Sequence, residues 1–159
     1  MATYIVQLQH IWRDYEAAGM TTPATAREVA QWAVQNGLLQ PREHDPLADL
    51  AEDLARAWRE EYRYDNGRRY RAKHAVRITT GGVQYAFWAD VDTAPREHIE
   101  KAFGQRRQQI VADCYQLKVD ADVYNDNYGE SQPIQIVLDF TQDVAELQAL
   151  DKKPDDKAA

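Results

Sequence analysis

Three observations predict a mixed α+β fold for this chain. Helical periodicity recurs in three separate stretches before residue 64. Two β-like runs, Arg68–Ile78 and Val83–Ala89, flank Thr79-Thr80-Gly81-Gly82, the pattern of a hairpin closed by a glycine turn. From Pro95 to about residue 126, apolar side chains return at steps of three and four, which predicts one long helix.

Composition sets the outer limits. A length of 159 residues suits one domain, or one domain with an appendage. Hydrophobic content of 44%, with four Trp and nine Tyr, suffices for a core. No apolar run approaches the ~20 residues of a membrane-spanning helix. No basic segment followed by an apolar one opens the chain, so neither a membrane nor a signal peptide is expected. The single Cys114 excludes an intrachain disulfide and a cysteine-cluster metal site, and fits a reducing, cytoplasmic setting. The net charge of −7 is unevenly placed: residues 1–109 hold 15 basic and 15 acidic side chains, while residues 110–159 hold four and 11. The acidic last third is therefore not expected to touch nucleic acid, whereas the balanced first part can meet an anion.

The elements follow in order. Ile5, Leu8, Ile11, Trp12 and Tyr15 define a first helix that Gly19 stops. Thr25-Ala26-Arg27-Glu28 matches a capping box, in which hydroxyl and carboxylate satisfy free amides, and opens a second helix ending at Asn36-Gly37. Asp45 as N-cap and Pro46 in the first turn open a third helix expected over 46–62. Leu47, Leu50, Ala51, Leu54, Ala57, Trp58 and Tyr62 make its expected buried stripe. Its solvent face begins acidic (Asp49, Glu52, Asp53) and finishes basic (Arg56, Arg59, Arg63), an ordering the helix dipole favours by itself.

In the hairpin, alternation puts Tyr70, Ala72, His74, Val76 and Ile78 toward the core and Arg69, Arg71, Lys73, Ala75 and Arg77 outward. The long helix carries Ile99, Phe103, Arg106, Ile110, Cys114, Leu117, Ala121 and Tyr124 along one seam, which either pairs with another chain or packs on its own domain. Residues 133–140 read as a strand, Thr141 caps a short helix through Leu150, and residues 151–159 form a charged tail expected to be disordered.

Eight of the 19 Lys and Arg residues fall between positions 56 and 77: Arg56, Arg59, Arg63, Arg68, Arg69, Arg71, Lys73 and Arg77. Cations on one hairpin face and a helix end can lie along a phosphate backbone. Equally, they can be a solvated face that discourages strand-to-strand aggregation. Asp90, Asp92, Glu97 and His98 gather at a strand-to-helix junction, where a metal or general acid–base group is conceivable but caps and first-turn acids are the plainer reading. No glycine-rich phosphate loop, serine elbow or kinase-type motif occurs.

Three helices, then a basic helix end feeding a basic Gly-Gly hairpin, resemble the recognition helix and wing of the winged helix-turn-helix superfamily. The resemblance covers a little over half the chain and implies double-stranded DNA as partner. Asp49, Glu52 and Asp53 stand where such a helix would meet base edges, so backbone gripping is expected rather than base reading. The organisation expected is a winged-helix-like domain over 1–92, then a long helix with a β–α extension over 93–150, then the tail. Function is expected to be non-enzymatic: a nucleic-acid-binding or regulatory module without cofactor or metal. The alternative is a protein-interaction subunit that forms a homodimer or docks a partner protein through Ile99, Phe103, Ile110 and Leu117 of the long helix and the acidic end.

Overall fold

The computed structural model describes residues 3–129 and 132–151, so residues 152–159 of the expected tail lie outside the described residues. It is an α+β structure that divides into two units, Met1–Asp49 and Leu50–Ala159. This division falls inside the third helix.

In the first unit, helix α1 (Tyr4–Ala17) and helix α2 (Ala26–Gln35) pack through Ile11, Tyr15 and Ala33. The Tyr15 ring stands edge-on to Trp32 at 5.4 Å, a favoured aromatic geometry. The capping box forms as expected. Glu28 N–H donates to the Thr25 hydroxyl at 3.1 Å, and Thr25 N–H donates to the Glu28 carboxylate at 3.0 Å. Asp45 caps helix α3 (Pro46–Arg59) by accepting from Leu47 N–H at 3.1 Å.

Helix α3 departs from expectation in two ways. It ends at Arg59, and Tyr62 and Arg63, both assigned to its faces, belong instead to a strand. None of its residues is buried: Leu47 is 78% exposed, Leu50 58% and Leu54 50%. The amphipathic pattern gave the helix, but burying a stripe needs an opposing element. In the second unit Trp58 meets Trp88, with ring centroids 5.4 Å apart.

Four strands follow as two antiparallel hairpins rather than one. Strand β1 (Tyr62–Asp65) pairs with β2 (Arg68–Arg71), and β3 (Lys73–Thr80) pairs with β4 (Val83–Asp90). The expected continuous run from Arg68 is thus divided at Ala72. Its N–H donates to the Glu61 carbonyl at 3.0 Å, and its own carbonyl accepts from Val91 N–H at 2.8 Å. Ala72 therefore ties the two hairpins together, and it is fully buried. Both turns are two-residue loops with both residues at positive φ, Asn66-Gly67 (50° and 77°) and Gly81-Gly82 (58° and 78°). That is the type I′ geometry whose twist matches the strands. Ala72, His74 and Val76 are buried as the alternation required, while Ile78 lies beyond the cover.

Helix α4 (Arg96–Tyr128) runs for 33 residues, about 50 Å at the usual rise. Its first turns lie on β3, with Ala102 fully buried. Residues 133–140 carry no strand, contrary to expectation. Their backbone is instead tied to the helix at Asn125, whose side chain accepts from Ile134 N–H at 2.9 Å and donates to the Ile134 carbonyl at 2.7 Å. A side-chain amide that satisfies both backbone groups leaves Ile134 without need of a sheet partner. Helix α5 (Thr141–Asp151) follows, with Asp139 accepting from Thr141 N–H at 3.1 Å. Among the described residues no helix is long and apolar enough to cross a membrane.

Candidate functional site

The eight cations singled out by sequence do not form one free surface. Arg63, from β1, is held by Asp90 in a two-pronged pair and by Asp92 at 2.6 Å. This geometry draws the Asp90 carboxyl well below the usual carboxylate range, chiefly through its hydrogen bonds from Arg63, and raises the Arg63 guanidinium. Lys73 is paired with Glu61. These two pairs join the first hairpin to the ends of the second and serve the fold. Arg68 pairs with Asp65 at 2.5 Å, and Arg56 lies 3.6 Å from Asp53. Asp90 and Asp92, considered for metal or acid–base work, are occupied by Arg63.

Arg59, Arg69, Arg71 and Arg77 form no ion pair among the described residues. Arg69 lies over the Tyr62 ring with its guanidinium carbon 4.3 Å from the centroid, a cation–π contact between neighbouring strands. Arg71 is the register partner of Tyr62. Arg106 of α4 approaches the same place. Burial, then the nearby Arg71 guanidinium, lowers its pKa. His74 is buried, its pKa lowered by desolvation first and Arg106 second, and its ring stands edge-on to Phe103 at 5.2 Å. The sequence places Arg106 along the helix seam and does not join it to the hairpin cations. The missed signal was Asn66-Gly67, which turns β2 back and brings Arg71 toward α4.

Helix α4 provides the second surface. Three contacts anchor its start: His98 Nε2–H donates to the His74 carbonyl at 2.9 Å, and Gln105 bonds both backbone groups of Arg77 at 2.7 and 2.8 Å. Of the four residues expected to mediate oligomerisation, Ile99 is partly buried against this anchorage. Phe103, Ile110 and Leu117 remain 50%, 54% and 47% exposed, and Tyr124, one further heptad along, is 49% exposed. These four recur every seventh residue, and a seven-residue period drifts by ~20° per repeat on a straight helix, the drift a left-handed supercoil absorbs. Cys114, near the same seam, is half-buried. Helix α5 adds Val144, Leu147 and Leu150, each at least half exposed. Among the described residues no group of three or more His, Cys, Asp or Glu could hold a metal ion.

Comparison with known proteins gave no match to this chain among family models, curated proteins or solved structures.

Proposed function

We propose that the protein is a non-catalytic interaction subunit that assembles through the exposed seam of α4. One observation carries this reading: Phe103, Ile110, Leu117 and Tyr124 stand in heptad spacing on one helix face, each about half open to solvent. Exposed large apolar side chains repeating along one helix face are characteristic of surfaces that are covered in the working state. Burying the exposed half of such a side chain is worth roughly 1 kcal/mol, so four on each of two partners give on the order of 8 kcal/mol gross. Association costs are of similar size, which makes a moderate, concentration-dependent complex the expected outcome. Light scattering on the purified chain tests it. A species larger than one chain is expected, and Phe103→Glu or Leu117→Glu should return it to single chains while far-UV circular dichroism is unchanged. A wild-type chain that stays single at every concentration, with no change in either variant, counts against the reading.

A second reading is backbone binding of nucleic acid, in keeping with the winged-helix resemblance. It is favoured by Arg59, Arg69, Arg71 and Arg77, which have no carboxylate partner among the described residues. Fluorescence anisotropy with duplex DNA at low and moderate salt should then show salt-sensitive binding. An Arg69→Ala/Arg71→Ala variant should weaken it, whereas Arg68→Ala, which removes a paired cation, should matter less. Absence of binding at low salt removes this reading.

A further inference from the structure

We infer that the partner of α4 is a second copy of this chain, lying antiparallel across the seam with Arg106 of each copy facing Asp120 of the other. This rests on the assembly reading above and adds to it the partner and its direction.

Charge along α4 is the first argument. Residues 96–109 carry four cations and two carboxylates, whereas residues 110–128 carry four carboxylates and one cation. Glu97 in the first turn suits the helix dipole, but that effect fades within a turn and does not account for the order of the charges further along. Helix stability therefore explains the charges of α3 but not those of α4. Two such helices laid head to tail put the basic half of each against the acidic half of the other.

The seam itself is symmetric. Phe103 and Tyr124 stand equally far from the midpoint between Asp113 and Cys114, and so do Ile110 and Leu117. An antiparallel pair centred there seats Phe103 against Tyr124 and Ile110 against Leu117, with every large seam residue covered. Flanking positions decide the direction. The residues three places after successive seam positions are Arg106, Asp113 and Asp120. A parallel pair instead sets each of these against the residue five places on in the other copy, Val111, Lys118 and Asn125, so that Arg106 and Asp120 meet no opposite charge. The antiparallel pair gives two Arg–Asp contacts and a single like-charge one at Asp113, whose carboxylate already accepts from Gln109 at 2.9 Å. Specificity of pairing in helical interfaces commonly rests on such differences in flanking charge.

Arg106 supplies the last argument. It is partly desolvated, stands near Arg71, and has no ion pair among the described residues. Among the described residues Asp120 is bonded only by the Gln116 amide, at 2.8 Å, and pairs with no cation. Each has what the other lacks, half a helix away.

Charge exchange in the full chain, followed by sedimentation equilibrium, tests the arrangement. Arg106→Glu alone and Asp120→Arg alone should each weaken self-association by about tenfold or more, as loss of a close charge pair does. The double variant should recover to within about threefold of wild type, because the swapped pair re-forms. Gln108→Glu, on the opposite side of the helix, should leave association unchanged. Association that the double variant fails to recover overturns the antiparallel pairing but leaves the assembly reading standing. A wild-type chain that never self-associates overturns this inference, and the assembly reading is then decided by whether another protein binds the seam.

Discussion

From Arg96 to Gln105, α4 is held on β3 by buried Ala102, by His98 on the His74 carbonyl, and by Gln105 on both backbone groups of Arg77. From Ile110 to Tyr128 the same helix has Asn125 and its hold on Ile134 as its hydrogen-bonded tie to the rest of the described chain. Neither stretch is more helical than the other, and the apolar seam runs through both. The difference lies in what opposes each stretch. A small residue at 102 lets the helix approach the sheet closely, and one glutamine replaces a strand edge with a side-chain bracket. Beyond that bracket the sheet has ended; residues 133–137 lie along α4 at Lys118, Ala121, Asp122 and Asn125, while Ile110, Leu117 and Tyr124 remain about half exposed. The anchored third thus sets the direction in which the open two-thirds is presented.

The contrast can be broken most forcefully at Ala102. Ala102→Leu should cost about 1–3 kcal/mol by overpacking, read as a lower urea midpoint, because no space remains around a fully buried alanine. Leu117→Ala, in the open part, should change the stability of the single chain by no more than about 0.5 kcal/mol. Equal losses at the two sites would erase the distinction.

A smaller effect concerns His74, beneath the anchored part. Desolvation, then Arg106, lowers its pKa, so the folded chain holds it neutral. The unfolded chain takes up a proton near the ordinary value of 6.5, and below that pH it binds more protons than the folded one. Stability should therefore be level above 6.5 and fall as the pH drops below it, toward the lowered folded value. His74→Phe should flatten this slope in urea unfolding on either side of 6.5. The Asp90–Arg63 pair does not confuse the result, because its contribution is lost only as the pH falls below the ordinary carboxylate value of 3.8. An unchanged slope in the variant would show that His74 is not the group responsible.

Much of the architecture was legible because it is written in local chemistry. Thr25 and Glu28, Asp45 with Pro46, Gly81-Gly82 and the period of residues 95–126 each specify their element through a short-range mechanism, and each element is present. What escaped was long-range. Arg63 reads as one more cation on a helical face until the chain turns at Asn66-Gly67 and Asp90 arrives beside it from 27 residues away. The α3 stripe reads as core because amphipathicity declares a face without naming what covers it. Residues 133–140 have strand composition, yet they carry no strand, and Asn125 takes both backbone groups of Ile134. At the candidate site, sequence named Arg69 and Arg71 but not their neighbour Arg106, whose position depends on where α4 crosses β3.

Amide hydrogen exchange along α4, measured as the concentration of the chain is raised, tests the central claim most directly. If the open part is an assembly surface, protection of residues 107–128 should rise with concentration while residues 96–101, ahead of the first seam residue Phe103, stay constant. Protection that is the same along the whole helix and indifferent to concentration would contradict it.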